Sequence, residues 1–255
     1  MIELNNVSSG YGDLPILRDI SLTLASNGFY ALLGPNGAGK STLLYTLIGY
    51  LKPTKGSIRI NGKDAANLKL KYLSRQIAFV PQESLQEFDH SVSELILMGR
   101  YPYLGLLQAP SSEDRRSVEA VLDLLNLTEL KHRWLSELSG GEKQRVYIAR
   151  ALVQETPFIL LDESLSQLDI NHQIEIMTLL QKIHRTQNKT VLIVSHNLNL
   201  AANYADKLIF LKEGKLLATG DVDKLMQTST LQQLFGIALQ TVQNPNSNRP
   251  NIVYP

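Results

Sequence analysis

Apolar and polar residues alternate at the start of the chain: residues 2–7 and 16–24 carry the period of two expected of half-buried strands. They predict antiparallel strands separated by a loop containing Gly10-Tyr11-Gly12. Residues 57–60 form a third such strand and run into Asn61-Gly62, a dipeptide favoured in hairpins because both residues accept positive φ. These segments predict a small β layer. Residues 29–33, 77–80, 158–161 and 190–194 are instead short, unbroken apolar runs, the pattern of strands covered on both faces. From about residue 83 to 152 the periodicity is helical. Ser91 and Glu94 have capping-box spacing ahead of Leu95, Ile96, Leu97 and Met98, with a stop near Gly99. A second helix from about Ser112 carries Val118, Val121, Leu122 and Leu125. Between them, residues 101–107 are apolar but broken by proline and glycine, and either pack back on their own domain or offer an apolar contact to a partner. Further helix is expected over 172–185 and from Thr228 or Ser229 to Gly236, with a hairpin of residues 207–211 and 216–219 around Lys212-Glu213-Gly214-Lys215. Residues 244–251 read as a polar turn or linker, and 252–254 as a returning strand.

Composition narrows the class. Of 255 residues 44% are apolar and 19% charged, ordinary for a globular protein, and 25 basic against 24 acidic residues leave a net charge of +1. No global field points to nucleic acid or an anionic membrane. The absence of cysteine excludes disulfides and cysteine-ligated metal and fits a reducing compartment. No stretch reaches the roughly 18 consecutive apolar residues of a membrane span, and residues 1–7 lack the pattern of a signal peptide. If the protein works at a membrane, a partner chain is expected to hold it there.

The chemistry lies at the ends of the apolar runs. Residues 29–33 lead into Gly34-Pro35-Asn36-Gly37-Ala38-Gly39-Lys40-Ser41-Thr42 and then an apolar helix from 43 to 48 that stops at Gly49. This is the strand, glycine-rich loop and helix of a phosphate-binding loop: backbone N–H groups and the helix N-terminus face phosphate, Lys40 reaches the β and γ phosphates, and the Ser41 hydroxyl ligates Mg²⁺. The run at 77–80 ends in Pro81-Gln82, whose amide can ligate a metal or touch a bound water, or lie in a surface loop. The run at 158–161 ends in Asp162-Glu163, at the strand end where ligands sit in open α/β sheets. One carboxylate there can hold a Mg²⁺-bound water while the other polarises an attacking water. The run at 190–194 delivers Ser195-His196, and His196 is read as a contact to the γ-phosphate; His90, His132, His172 and His184 read as structural. Leu138-Ser139-Gly140-Gly141-Glu142 has capping-box spacing, yet two glycines are costly in a first turn unless something approaches the backbone closely. Ser139 can cap the helix while donating to a phosphate. Gly34, Gln82, Asp162 and His196 thus share one expected edge, the active site.

In order, these residues resemble the ATPase subunit of the ATP-binding cassette (ABC) family over essentially the whole chain. The resemblance implies an α/β P-loop NTPase (RecA-like) fold, a mostly parallel core sheet with an antiparallel β layer and an inserted helical subdomain. It implies nucleotide-binding core over residues 1–82 and 153–236, the helical subdomain over 83–152 and a C-terminal tail over 237–255. By resemblance, Tyr11 stacks on adenine, Gly34 to Thr42 hold the phosphates, and Gln82 is the glutamine loop. Ser139, Gly140 and Gly141 lie in the family-defining stretch; Asp162 contacts metal, Glu163 is the catalytic acid, Asp169 is a loop acid at a dimer interface, and His196 is the switch histidine. Ser41, Gln82 and Asp162 are the metal set, and Glu163, His196 and Lys40 the catalytic one. Gly99-Arg100-Tyr101-Pro102-Tyr103 and Leu168-Asp169-Ile170-Asn171-His172-Gln173 look most similar to ATPases of importers for iron-siderophore complexes, haem or vitamin B12. Two departures stand out: Ser164 where the family usually has proline, and Asn197 where aspartate commonly follows the switch histidine. The resemblance implies ATP and Mg²⁺, a head-to-tail homodimer, a separate multi-span permease, an external substrate-binding protein, no nucleic acid, and a place on the cytoplasmic face of the cell membrane. The alternative is a soluble ABC ATPase of DNA repair or the ribosome, which usually carries long coiled coils or two cassettes in one chain; neither is present here.

Overall fold

The computed structural model describes residues 1–82, 89–165 and 168–253. Its strands are β1 (Ile2–Tyr11), β2 (Leu14–Leu24), β3 (Phe29–Leu33), β4 (Lys55–Ile60), β5 (Lys63–Asp64), β6 (Ile77–Val80), β7 (Phe158–Leu161), β8 (Thr190–Val194), β9 (Lys207–Lys212), β10 (Lys215–Asp221), β11 (Gln240–Gln243) and β12 (Pro250–Val253). Its α-helices are α1 (Lys40–Leu47), α2 (Leu70–Leu73), α3 (Val92–Leu97), α4 (Ser112–Leu124), α5 (Gly140–Leu152), α6 (Ile170–Gln187), α7 (Leu198–Tyr204), α8 (Val222–Leu225) and α9 (Thr228–Phe235).

The central sheet has the order β10-β9-β3-β8-β7-β6. Every pairing from β9 to β6 is parallel, and only the β9–β10 hairpin at one edge is antiparallel. The four unbroken apolar runs become β3, β6, β7 and β8 with the expected bounds. Both faces of this sheet are covered, and the pleat divides each run between two cores. Phe29, Ala31 and Leu33 join one core with Ile159, Leu161, Val191 and Ile193 and the helices of that face. Tyr30 and Leu32 join the other with Phe158, Leu160, Leu192, Val194, α1 and the antiparallel layer.

That second layer is the four-stranded sheet β2-β1-β4-β5. Here the structure differs from the alternation in detail. β1 continues through Tyr11 and β2 begins at Leu14, so the expected loop is only the pair Gly12-Asp13. Register shifts between Leu4 and Val7, Val7 and Ser9, and Ser9 and Gly10 break the period of two and hide the rest of the strand from a pattern reading. Asn61 and Gly62 both take positive φ, 50° and 78°, and close the β4–β5 hairpin.

The capping boxes at Ser91–Glu94 and Ser139–Glu142 form, and α4 has a third, between Ser111 and Asp114. Helix α6 starts at Ile170, two residues before the expected start, because Asp169 caps it by accepting from the His172 amide at 3.0 Å. Helix α8 follows β10 without having been signalled. The tail pairs β11 with β12. Asn199 of α7 clasps it by accepting from the Ile252 amide at 2.6 Å and donating to the Ile252 carbonyl at 3.1 Å; Tyr254 lies outside the described residues. No helix among the described residues is long and apolar enough to cross a membrane.

Candidate active site

The carboxyl ends of β3, β8, β7 and β6 lie side by side and carry, in that spatial order, Gly34, His196, Asp162-Glu163 and Gln82. Parallel strands point all their carboxyl ends the same way, so residues 162 positions apart in sequence meet at one edge.

From Gly34 the chain folds into the phosphate loop. A Cβ on Gly34 would sit 2.1 Å from the Leu211 carbonyl oxygen, and Gly37 and Gly39 take φ of 75° and 99°, a region L side chains seldom adopt. Helix α1 then begins with Gly39 at its N-cap and no side-chain cap, which leaves its first amides for a ligand. The loop is braced from behind by the β9–β10 turn. Gly214 donates its amide to the Ala38 carbonyl at 3.0 Å and accepts from the Arg18 amide at 2.8 Å. The sequence marks Gly214 only as a turn residue; its φ of 74° is legible from Glu213-Gly214, but its partners 176 and 196 positions away are not.

Lys40 is buried, with 4% of its surface exposed. Its ammonium donates to the Gly34 and Pro35 carbonyls, both at 3.1 Å, and lies 3.7 Å from Glu163 Oε1. Burial pushes its pKa down while Glu163 opposes the shift. The Ser41 hydroxyl donates to Asp162 Oδ1 at 3.2 Å. Asp162 is buried, and burial pushes its carboxyl above the usual range, with the Ser41 hydrogen bond opposing. Two oxygens at this spacing suit adjacent ligands of a six-coordinate Mg²⁺, which at about 2.1 Å from the metal stand about 3 Å apart.

Glu163 has a φ of 42°, in the left-handed region. Its Oε1 lies 2.6 Å from His196 Nε2, and its Oε2 accepts from the Gln82 amide at 3.1 Å. Gln82 therefore meets the glutamate directly, and His196 does too. Tyr11, half-exposed at the end of β1, lines a cavity of about 430 Å³ together with Asn36, Lys40, Ser41, Glu163 and His196.

Ser139, Gly140, Gly141 and Asp169 are not among the described residues lining that cavity. Ser139 is engaged with Glu142: it accepts from the Glu142 amide at 3.3 Å and donates to its carboxylate at 2.7 Å. Asp169 caps α6. The two departures also have places. Asn197 caps α7 by accepting from the Leu200 amide at 2.9 Å, a task asparagine and aspartate share. Ser164 is buried with a hydroxyl that has no hydrogen-bond partner among the described residues.

A family model described as "ABC transporter" matches residues 17–166, which run from β2 through the phosphate loop and the start of α5 to just past the Asp162-Glu163 pair. The chain belongs to the ABC transporter family. This ABC protein is 36% identical over 241 residues to the iron(3+)-hydroxamate import ATP-binding protein FhuC of Bacillus subtilis, covering 94% of this chain and 90% of the relative. It is 34% identical over 244 residues to the ferric enterobactin transport ATP-binding protein FepC of Escherichia coli, covering 96% and 90%. Among solved structures, a metal-chelate type ABC transporter in an inward-facing conformation superposes with a TM-score of 0.86 at 31% identity, over 99% of this chain and 96% of that one. A dimeric ATP-binding cassette in a post-hydrolysis state with ADP and Pi gives 0.75 at 31% identity, over 87% and 98%. The chain is accordingly an ATP-binding subunit whose ATP hydrolysis is coupled to membrane transport, and the DNA-repair or ribosomal alternative is not favoured.

Proposed function

We propose that this chain is the ATP-hydrolysing subunit of an importer for iron-siderophore, haem or vitamin B12 type chelates. It works as a head-to-tail homodimer on the cytoplasmic face of the membrane, with a separate permease and an external substrate-binding protein. The observation that carries the mechanism is the convergence on Glu163 of Lys40 at 3.7 Å, Gln82 at 3.1 Å and His196 at 2.6 Å.

In this reading Tyr11 stacks on adenine, and the amides of residues 34–42 and the Lys40 ammonium hold the β and γ phosphates. Ser41, Gln82 and Asp162 would hold Mg²⁺, which when bound would supply charge neutralisation at the phosphates. No group of three or more His, Cys, Asp or Glu side chains among the described residues could form a metal cage. Mg²⁺ at a nucleotide is commonly held by one or two carboxylates, waters and substrate phosphates rather than by an all-protein cage. Glu163 orients the attacking water and takes its proton, while Gln82 and His196 fix the carboxylate and His196 reports the γ-phosphate. The uncapped N-terminus of α1 donates to the phosphates from one side, and Ser139–Gly141 of the other copy from the opposite side, with Asp169 at the same interface.

Gln82 and the helical segment, described from residue 89 to 152, form the side offered to the permease. A cavity of about 580 Å³ opens there between His90, Glu94, Met98, Tyr101 and Leu104, beside Leu106 and Leu107, which are almost wholly exposed. A groove of mixed polar and apolar lining, with two exposed leucines next to it in the chain, suits a segment of a membrane protein that carries both kinds of side chain.

Glu163→Gln tests the proposal in the complex with the permease. ATP hydrolysis should fall at least about 100-fold, the scale of a lost general base. On the isolated chain carrying Glu163→Gln, ATP with Mg²⁺ should hold two copies together on size-exclusion light scattering; a variant that stays monomeric in saturating ATP would overturn the head-to-tail arrangement.

A further inference from the structure

The two glycines that open α5 answer to different neighbours. Among the described residues beyond its own helix and chain neighbours, a Cβ on Gly140 would find no atom nearer than Leu168 Cδ2 at 3.9 Å, whereas a Cβ on Gly141 would lie 2.7 Å from His172 Cδ2 and 3.0 Å from His172 Nε2. Neither residue has a positive φ, so the backbone itself does not demand glycine at either position. What comes close to Gly141 is a side chain of the same chain. The His172 ring is held there, because its Nδ1 lies 2.8 Å from Asp169 Oδ2 while Asp169 Oδ1 accepts from the His172 amide at 3.0 Å. Gln173 adds a second tie by donating to the Leu165 and Leu168 carbonyls, at 3.1 and 2.9 Å, in the segment that leads from Glu163 to α6.

We propose that His172 is a positioning residue: its ring, fastened to Asp169 and wedged against Gly141, joins the starts of α5 and α6 into one rigid unit. Ser139–Gly141 and Asp169 then reach the nucleotide of the other copy together, and Gly140 is the glycine left open to it. This rests on the head-to-tail reading above. A histidine four residues into the segment Leu168–Gln173 reads from sequence as structural; the contact with Gly141 is what gives it a part in assembling the composite site.

Two measurements test the contact and its role separately. On the isolated chain, Gly141→Ala should lower the thermal midpoint markedly in the native background and at most slightly in the His172→Ala background, because removing the ring removes the collision. Equal losses in both backgrounds overturn the wedge. In the Glu163→Gln background, His172→Ala should raise the protein concentration needed for ATP-dependent dimerisation at least tenfold while leaving ATP affinity of the monomer within twofold; in the permease complex with native Glu163, it should lower kcat at least fivefold. A purely structural histidine would move the midpoint and neither of these, so unchanged dimerisation with unchanged kcat overturns the positioning role. If Glu163→Gln itself never dimerises, the head-to-tail reading and the positioning role fall together, and the melting cycle still reports whether the wedge exists.

Discussion

Glu163 and Asp162 are adjacent carboxylates with different partners, and backbone conformation is part of the reason. The φ of 42° at Glu163 costs of order 1 kcal/mol for a residue with a side chain. Glu163 faces Gln82 and His196, while Asp162 faces Ser41. The next residue, Ser164, carries a buried hydroxyl without a partner among the described residues. A buried polar group left unpaired costs about 1–3 kcal/mol, so Ser164→Ala should leave the fold intact and raise its stability in denaturant titration by about 1 kcal/mol or more. A drop in stability would mean that the hydroxyl is bonded in solution.

At the scale of elements, the phosphate loop is held between α1 and the β9–β10 turn. A Cβ on Gly214 would stand 1.8 Å from the Ile16 carbonyl oxygen. Gly214→Ala must therefore move the turn away from Ile16, and a shift of the turn strains the hydrogen bond from the Gly214 amide to the Ala38 carbonyl. The expected outcome is a loss of at least about 2 kcal/mol, the range of strained backbone substitutions, together with weaker ATP binding by calorimetry. A stable variant with unchanged ATP affinity would show that the turn does not brace the loop. Elements differ in how plainly the sequence announces them. β3, β6, β7 and β8 emerge with the expected bounds because burial on both faces makes their runs continuous and their ends abrupt. β1 does not, because its bulges shift the period.

Across the whole molecule, Arg100 ties the helical region to the core. Its guanidinium donates to Asp114 at 2.8 Å and to the Val153 carbonyl at 2.9 Å, and lies over the Tyr103 ring at 4.4 Å. Tyr103 in turn donates to the Gln154 carbonyl at 2.8 Å, and Arg75 to the Pro102 carbonyl at 2.9 Å. Gly99-Arg100-Tyr101-Pro102-Tyr103 thus acts as a strut beside the cavity assigned to the permease. Arg100 also lies 3.0 Å from Glu155, so Asp114→Ala leaves the guanidinium one acid and should cost less than the ~3–5 kcal/mol of a fully broken buried pair. The pair also sets an acid limit. Hydrogen bonds from Ser111 and Arg100 hold the Asp114 carboxyl at about 2, below its ordinary 3.8. A depressed carboxylate contributes stability that is present above the ordinary value and lost as pH falls through the depressed one. Stability should therefore decline between about pH 4 and pH 2, and Asp114→Asn should flatten that part of the profile in chemical denaturation.

The sequence alone determined what closes within a helical turn or along a single strand: the capping boxes at Ser91 and Ser139, the hairpin at Asn61-Gly62, the buried strands and the glycine-rich loop that follows β3. These depend on residues a few positions apart, and their chemistry is written in the order of the chain. The tertiary structure decided which groups meet. The sheet order β3-β8-β7-β6 is not the order of the sequence. It brings Gln82 and His196 onto Glu163, seats Gly214 under the phosphate loop and sets His172 against Gly141. Each contact is made by a different pair of elements, and only their packing puts them within hydrogen-bond or van der Waals distance.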